Sequence, residues 1–116
     1  MKFLQSVMYA LRGMAAAMVG RDFRIQFVCG VLAIAFGLFF KISAGEWLAL
    51  LICVGGVLSA EMMNTAIEKI ADFIHPQKND RIGQLKDIAA GAVLVWALAS
   101  LVIALIIFLP KILAFA

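Results

Sequence analysis

The sequence predicts an all-α integral membrane protein: three transmembrane helices preceded by an amphipathic surface helix, forming one domain over residues 1–116. Three observations predict it. Of the 116 residues, 66% are hydrophobic and only 15% charged, whereas soluble domains run near 45–50% apolar and about 25% charged. The polar residues gather in a few places instead of covering a water-facing surface, and mean hydropathy is +1.08. The basic residues flank apolar runs and form no dense patch interleaved with aromatics, which argues against nucleic acid despite a net charge of +3.

Residues 3–19 read as the amphipathic helix. Leu4, Val7, Met8, Leu11 and Met14 recur at helical spacing, with Lys2, Gln5 and Arg12 elsewhere on the surface. Lys2 ahead of an apolar stretch and Ala15-Ala16-Ala17 resemble a secretory signal, but Arg12 interrupts the apolar region, so the expectation is that this segment is part of the mature protein. The spans fall at about 24–41, 47–75 and 86–110. The first apolar run, 25–40, is near the lower limit for crossing a core of about 30 Å. Lys41 closes it, and Gln26 sits at its edge at headgroup level. A short turn follows, in which Ser43 would cap the next helix and Trp47 would anchor at the interface. The second span has an apolar first half with Gly55-Gly56 as a surface for close helix approach, a polar second half, and Pro76 beyond its end. A polar loop over 77–84 leads to the third span, which starts with the small patch Ala89-Ala90-Gly91-Ala92 and ends at Pro110-Lys111.

Lys2, Arg12, Arg21, Arg24, Lys69, Lys78, Arg81 and Lys86 fall at one side of these spans, and only Lys41 and Lys111 at the other. The positive-inside rule then places the N-terminus and the loop at 76–85 in the cytoplasm and the C-terminus outside. Cys29 and Cys53 lie within apolar runs without CxxC or Cys/His spacing and read as small hydrophobes.

One segment carries chemistry. Glu61, Asn64, Thr65, Glu68 and Asp72 share a single helical stripe. Facing lipid, a central carboxylate costs roughly 2.5–3.5 kcal/mol, so the stripe must face protein, water or a ligand. Glu61 lies two turns before Lys69, roughly 12 Å deeper in the membrane at 1.5 Å per residue. Glu68 and Asp72 lie near the cytoplasmic interface, where carboxylates and an amide suit Mg²⁺ shared with phosphates. The deeper, less solvated Glu61 would suit a general base. Lys86 at the mouth would neutralise phosphate charge, and Asp87 would sit at a helix start, favoured by the macrodipole. Two other readings fit the spacing alone: a non-catalytic membrane oligomer held by these polar groups, and a small proton-coupled transporter using Glu61. No Walker A sequence and no kinase Gly-rich loop is present.

The run Glu61-Met62-Met63-Asn64-Thr65-Ala66-Ile67-Glu68, followed by Asp72 and by Lys86-Asp87-Ile88-Ala89-Ala90-Gly91, resembles the signature of the prokaryotic diacylglycerol kinase family, which includes the undecaprenol kinases of Gram-positive bacteria. Asp22-Phe23-Arg24-Ile25, Glu46-Trp47 and Phe108-Leu109-Pro110-Lys111 also fit, so the resemblance covers nearly the whole chain. It implies a homotrimer with composite sites between neighbouring subunits, in which Mg²⁺-ATP donates its γ-phosphoryl group to a lipid hydroxyl, either diacylglycerol or undecaprenol. It further implies Glu61 as base, with Glu61 and Asn64 on the lipid substrate. Glu68 would bind metal, and Asn64, Glu68, Asp72, Lys86, Asp87 and Arg12 would hold the nucleotide. The family commonly has a metal-binding Glu where this chain has Gly20, and Asp22 would substitute for it. Gln26 stands where undecaprenol-type relatives often have His.

Overall fold

The computed structural model describes residues 1–116 as four helices: α1 (Lys2–Ala17), α2 (Arg21–Phe40), α3 (Ala44–Ile74) and α4 (Asp80–Phe115). The last three are long and apolar enough to cross a membrane, with mean hydropathies of 2.0, 1.6 and 3.0 over their best windows. The molecule is a flat layer, 53 × 42 × 20 Å. Fifteen of its residues are buried, while side chains such as Phe39, Ile52, Val95 and Ile106 stand open on its faces. In water that surface would be unsustainable; against lipid tails it carries no penalty, and the chain is a membrane protein.

The helix boundaries follow from local chemistry. α1 ends in a tight turn, Val19 N–H to Ala16 O and Gly20 N–H to Ala17 O, and Gly20, in extended conformation, opens α2 as a cap without a side chain. α2 closes with Lys41 in the left-handed region (φ 51°). Ser43 caps α3 as its sequence position predicts: its hydroxyl accepts from Glu46 N–H at 3.2 Å, and the Glu46 carboxylate accepts from Ser43 N–H at 2.9 Å, a complete capping box. α3 ends at Ile74, with His75 as C-cap, just before Pro76.

Two expectations about α4 need correction. It begins at Asp80, inside the segment read as loop, because Asn79 Oδ1 accepts from the N–H groups of Arg81 and Ile82. Asp87 therefore sits two turns inside the helix, beyond the first turn where the macrodipole acts. Nor does Pro110 end the helix, which continues to Phe115. Proline removes one i→i−4 bond, and apolar packing carries the helix past that gap.

The helices pack principally as α3 on α4, with α2 laid against α3. Gly56 sets the α3–α4 approach: a Cβ there would stand 2.1 Å from the Trp96 ring, so the indole lies directly on bare backbone. Near the Lys41 end, Ile42, Leu50, Ile107 and Phe108 form the buried cluster, ringed by edge-on contacts among Phe36, Phe39, Phe40 and Phe115. α1 is almost wholly exposed, burying only Ala17.

Candidate active site

At the opposite end of the spans, α2, α3 and α4 enclose a cavity of about 330 Å³. α3 contributes Glu61, Asn64 and Glu68, which the i, i+3, i+7 spacing sets on one face. α2 adds Asp22 and Gln26 from its first two turns, and α4 supplies an apolar wall including Ala90, Val93 and Ala97. The small residues on α4 bring its backbone close without filling the space above Glu61.

Depth and exposure grade across the cavity. Glu61 is 5% exposed and Asn64 7%, whereas Glu68 and Asp22 are open at the mouth. Asn64 Nδ2 donates to Glu68 Oε1 at 2.9 Å, one turn away along the same helix. That bond orients the amide and leaves Asn64 Oδ1 buried with no partner. An unpaired buried acceptor costs about 1–3 kcal/mol, so a donor from outside the chain has a place here.

No cation neutralises this cluster from within. The three ion pairs lie elsewhere: Arg21 with Asp22 at 3.4 Å on the exposed surface, Lys86 with Asp72, and Lys111 with Glu46. Nor do three or more carboxylate, histidine or cysteine side chains converge as a ready-made metal cage. That donor set suits Mg²⁺, which is held by one or two carboxylates, waters and substrate phosphates and rarely by an all-protein cage. Glu68, with Oε2 uncommitted at the open mouth, fits such a role, and Asp22 faces the same space across the gap.

The remaining residues singled out from the sequence lie outside the cavity. Asp72, one turn beyond Glu68, is exposed and paired with Lys86 of α4. Lys86 and Lys78 line a separate polar cavity of about 330 Å³ beside the 76–79 turn. Asp87 is exposed on α4. Arg12, on α1, lies over the Tyr9 ring at 5.7 Å from its centroid. Gly20 opens α2 two residues before Asp22; a Cβ there would meet only Ala17 O, at 3.4 Å, so no steric demand requires glycine. Gln26, expected at headgroup level and at the position where undecaprenol-type relatives often have His, lines the cavity. One turn after Asp22, it shares that residue's face, and that spacing was the available signal.

Fold and site together define a small polytopic membrane protein with an uncompensated carboxylate–amide pocket at one end of its spans. Residues 8–108 match the profile of the prokaryotic diacylglycerol kinase family. The chain is 36% identical over 111 residues to the undecaprenol kinase of Bacillus subtilis (strain 168), covering 95% of this chain and 90% of that one. It is 35% identical over 115 residues to a diacylglycerol kinase of Synechocystis sp. (strain ATCC 27184 / PCC 6803 / Kazusa), covering 96% of this chain and 65% of that longer protein. The chain belongs to the prokaryotic diacylglycerol kinase family and is a lipid kinase.

Proposed function

We propose that this protein transfers the γ-phosphoryl group of Mg²⁺-ATP to the hydroxyl of a membrane lipid alcohol, diacylglycerol or undecaprenol, at the cytoplasmic face of the bacterial inner membrane. The observation that carries this reading is the cavity itself: a buried carboxylate, an amide with a free acceptor, and an open carboxylate, graded from the apolar interior to the aqueous mouth. Such a gradient lets a lipid hydroxyl enter from the bilayer side and a nucleotide from the water side.

In this reading Glu61 takes the proton of the lipid hydroxyl as its oxygen bonds to the γ-phosphorus. The bond from that phosphorus to the β–γ bridging oxygen breaks, and ADP leaves. Asn64 holds the hydroxyl and, through its bond to Glu68, fixes the carboxylate that would bind the metal. Mg²⁺, when bound, would neutralise charge on the phosphates; Glu68 and Asp22 are the residues placed to hold it. Asp72 and Lys86, already paired, form a polar platform for the nucleotide beside the second polar cavity.

Arg12 and Asp87 stand away from their own cavity. In a homotrimer with composite sites they would serve a neighbouring subunit, and α1, with Leu4, Met8 and Leu11 exposed, would lie on the membrane surface. Residues 1–116 form one lipid-kinase domain, multi-pass, with the basic 76–85 loop on the cytoplasmic side. The test is transfer of label from γ-³²P-ATP, with and without Mg²⁺, by the purified protein in mixed micelles containing lipid alcohol. Labelled lipid that requires Mg²⁺ is expected; ATP-independent flux of a substrate driven by a pH gradient, with no labelled lipid, would replace the reading with transport.

A further inference from the structure

Phosphoryl transfer turns a neutral lipid alcohol into a phosphomonoester, which carries a charge of about −1.5 to −2 at neutral pH. The pocket in which that product forms is a poor place for it to stay. Asp22, Glu61 and Glu68 line the cavity, and no Lys or Arg side chain does. With metal and ADP gone, a dianion there meets carboxylates and no compensating cation. Like charges at close range in a poorly hydrated site repel strongly.

The sign of the charge changes on the other side of α2. There an open groove of about 360 Å³ is lined by Arg21, Arg24, Ile25, Val28 and Cys29. Ile25 lines this groove and the carboxylate pocket alike, so the two spaces adjoin across one apolar side chain. The cavity lined by Lys78 and Lys86, by contrast, shares no residue with the carboxylate pocket.

Sequence spacing builds the groove. Positions 21, 24, 25 and 28 follow the i, i+3, i+4, i+7 pattern of one helical face. Asp22 and Gln26, one turn apart, form the neighbouring face that meets the cavity. The groove face carries two guanidinium groups at the start of α2 and apolar or thiol side chains beyond them. From Arg21 to Val28 it runs roughly 10 Å at 1.5 Å per residue. An anionic head on an alkyl stem matches that order, and arginines at the boundary of an apolar helix attract anionic lipid heads.

Both arginines are available. Arg24 belongs to none of the three ion pairs. Arg21 meets only its neighbour Asp22, at 3.4 Å, with the two side chains 82% and 65% exposed, and such a pair contributes little. Guanidinium groups hold phosphate oxygens through paired N–H donors. A phosphomonoester offers three terminal oxygens and can engage both arginines. An ordinary phospholipid phosphodiester carries less charge, and the alcohol substrate carries none.

We propose that Arg21 and Arg24 form a receiving site for the phosphorylated lipid product, its phosphomonoester head between the two guanidinium groups and its chain along Ile25, Val28 and Cys29. This rests on the lipid-kinase reading above and adds a step after transfer, in which the product leaves the carboxylate pocket sideways over Ile25.

Hexadecyl phosphate is the probe, because it has the product's head, one alkyl chain and nothing else. Its equilibrium binding to the purified protein is measured in detergent micelles at low salt, without nucleotide. Arg21→Gln combined with Arg24→Gln is expected to weaken binding about ten-fold or more, the usual worth of one charge-assisted hydrogen bond. Single-turnover transfer of label from ATP to lipid alcohol is expected to stay at the parental level in that variant, which also reports that it is folded. Unchanged binding of the probe with transfer intact sinks the site alone. No lipid labelled by the parent removes the kinase reading, and the product assignment with it. The methyl ester of the probe, a phosphodiester, is expected to bind more weakly than the monoester; equal binding identifies a surface for ordinary anionic phospholipid and overturns the proposal. A photoreactive analogue of the probe is expected to cross-link within residues 21–29, and cross-links confined to residues 76–86 would overturn it as well.

Discussion

The two ends of the helical layer use the same residue types in opposite ways. At one end Glu46 is met on every side: Oε1 accepts from Ser43 N–H at 2.9 Å, and Oε2 faces Lys111 Nζ at 2.7 Å. Lys111 is satisfied in turn, donating also to Ile107 O at 3.2 Å, beside the gap left by Pro110. At the other end Glu61 is more deeply buried than Glu46, has no cationic partner, and stands one turn from an amide oxygen with nothing to accept. A carboxylate closed off by its own chain is a fastener. One held in place while left open is prepared for something the chain does not contain. The difference separates structure from chemistry more sharply than burial or charge does by itself.

The sharpest way to break that contrast is to neutralise Glu61. Glu61→Gln keeps size and hydrogen-bonding capacity and removes only the proton acceptor. Turnover is expected to fall by about 10²–10⁴-fold, the usual worth of a general base, with nucleotide affinity unchanged in a direct binding assay. Near-normal turnover would make Glu61 a second fastener. Glu68→Gln should act differently, because glutamine still accepts from Asn64 Nδ2 and so preserves that orientation. Loss of the charge is expected to raise the KM for Mg²⁺-ATP by about ten-fold, equivalent to about 1.4 kcal/mol, with a steeper requirement for Mg²⁺. An unchanged Mg²⁺ titration would remove Glu68 from the metal.

Much of this contrast can be read along the chain, because both ends are built on local spacing. The capping box of Ser43 and Glu46 needs three residues, and the Glu61–Asn64–Glu68 face needs two turns of helix. What spacing cannot show is what arrives from another helix. Lys111 reaches Glu46 across 65 positions, and Asp22 and Gln26 reach the α3 face only once α2 is laid against it. Residue type alone does not give the length of α4: Asn79 starts it within the polar 77–84 segment, and Pro110 lies inside it. Arg12 and Asp87 come from the family resemblance, and within one subunit neither reaches the cavity.

A smaller effect sharpens the open end from the side of α2. Gly20 stands where a side chain has room, with φ −74° and ψ 138°, values any residue adopts. Gly20→Glu adds a carboxylate one turn before Phe23 and two residues from Asp22, which lines the cavity. If the open end lacks a metal ligand, the variant should reach half-maximal activity at a several-fold lower Mg²⁺ concentration. The same Mg²⁺ dependence as the parent would mean that Asp22 already does this work, or that the position does not face the metal.

The closed end makes the smallest prediction for activity and the cleanest one for stability. Lys111→Met removes one arm of the pair but leaves Glu46 bonded to Ser43 N–H, and Glu46→Gln keeps the cap while discarding the charge. Both side chains are 28% exposed, so the pair is neither fully screened nor fully desolvated. A favourable coupling is expected, as for pairs that are partly open to solvent. Each single variant should unfold earlier in detergent, and the double variant should lose less than the sum of the two. Specific activity of the folded fraction should stay at the parental level in all three, because Glu46 and Glu61 are 15 residues apart on α3, roughly 22 Å of helix. A loss of activity matching that of Glu68→Gln would show that α3 transmits the state of its outer end to its inner one, and the division between fastener and open site would have to be redrawn as one coupled element.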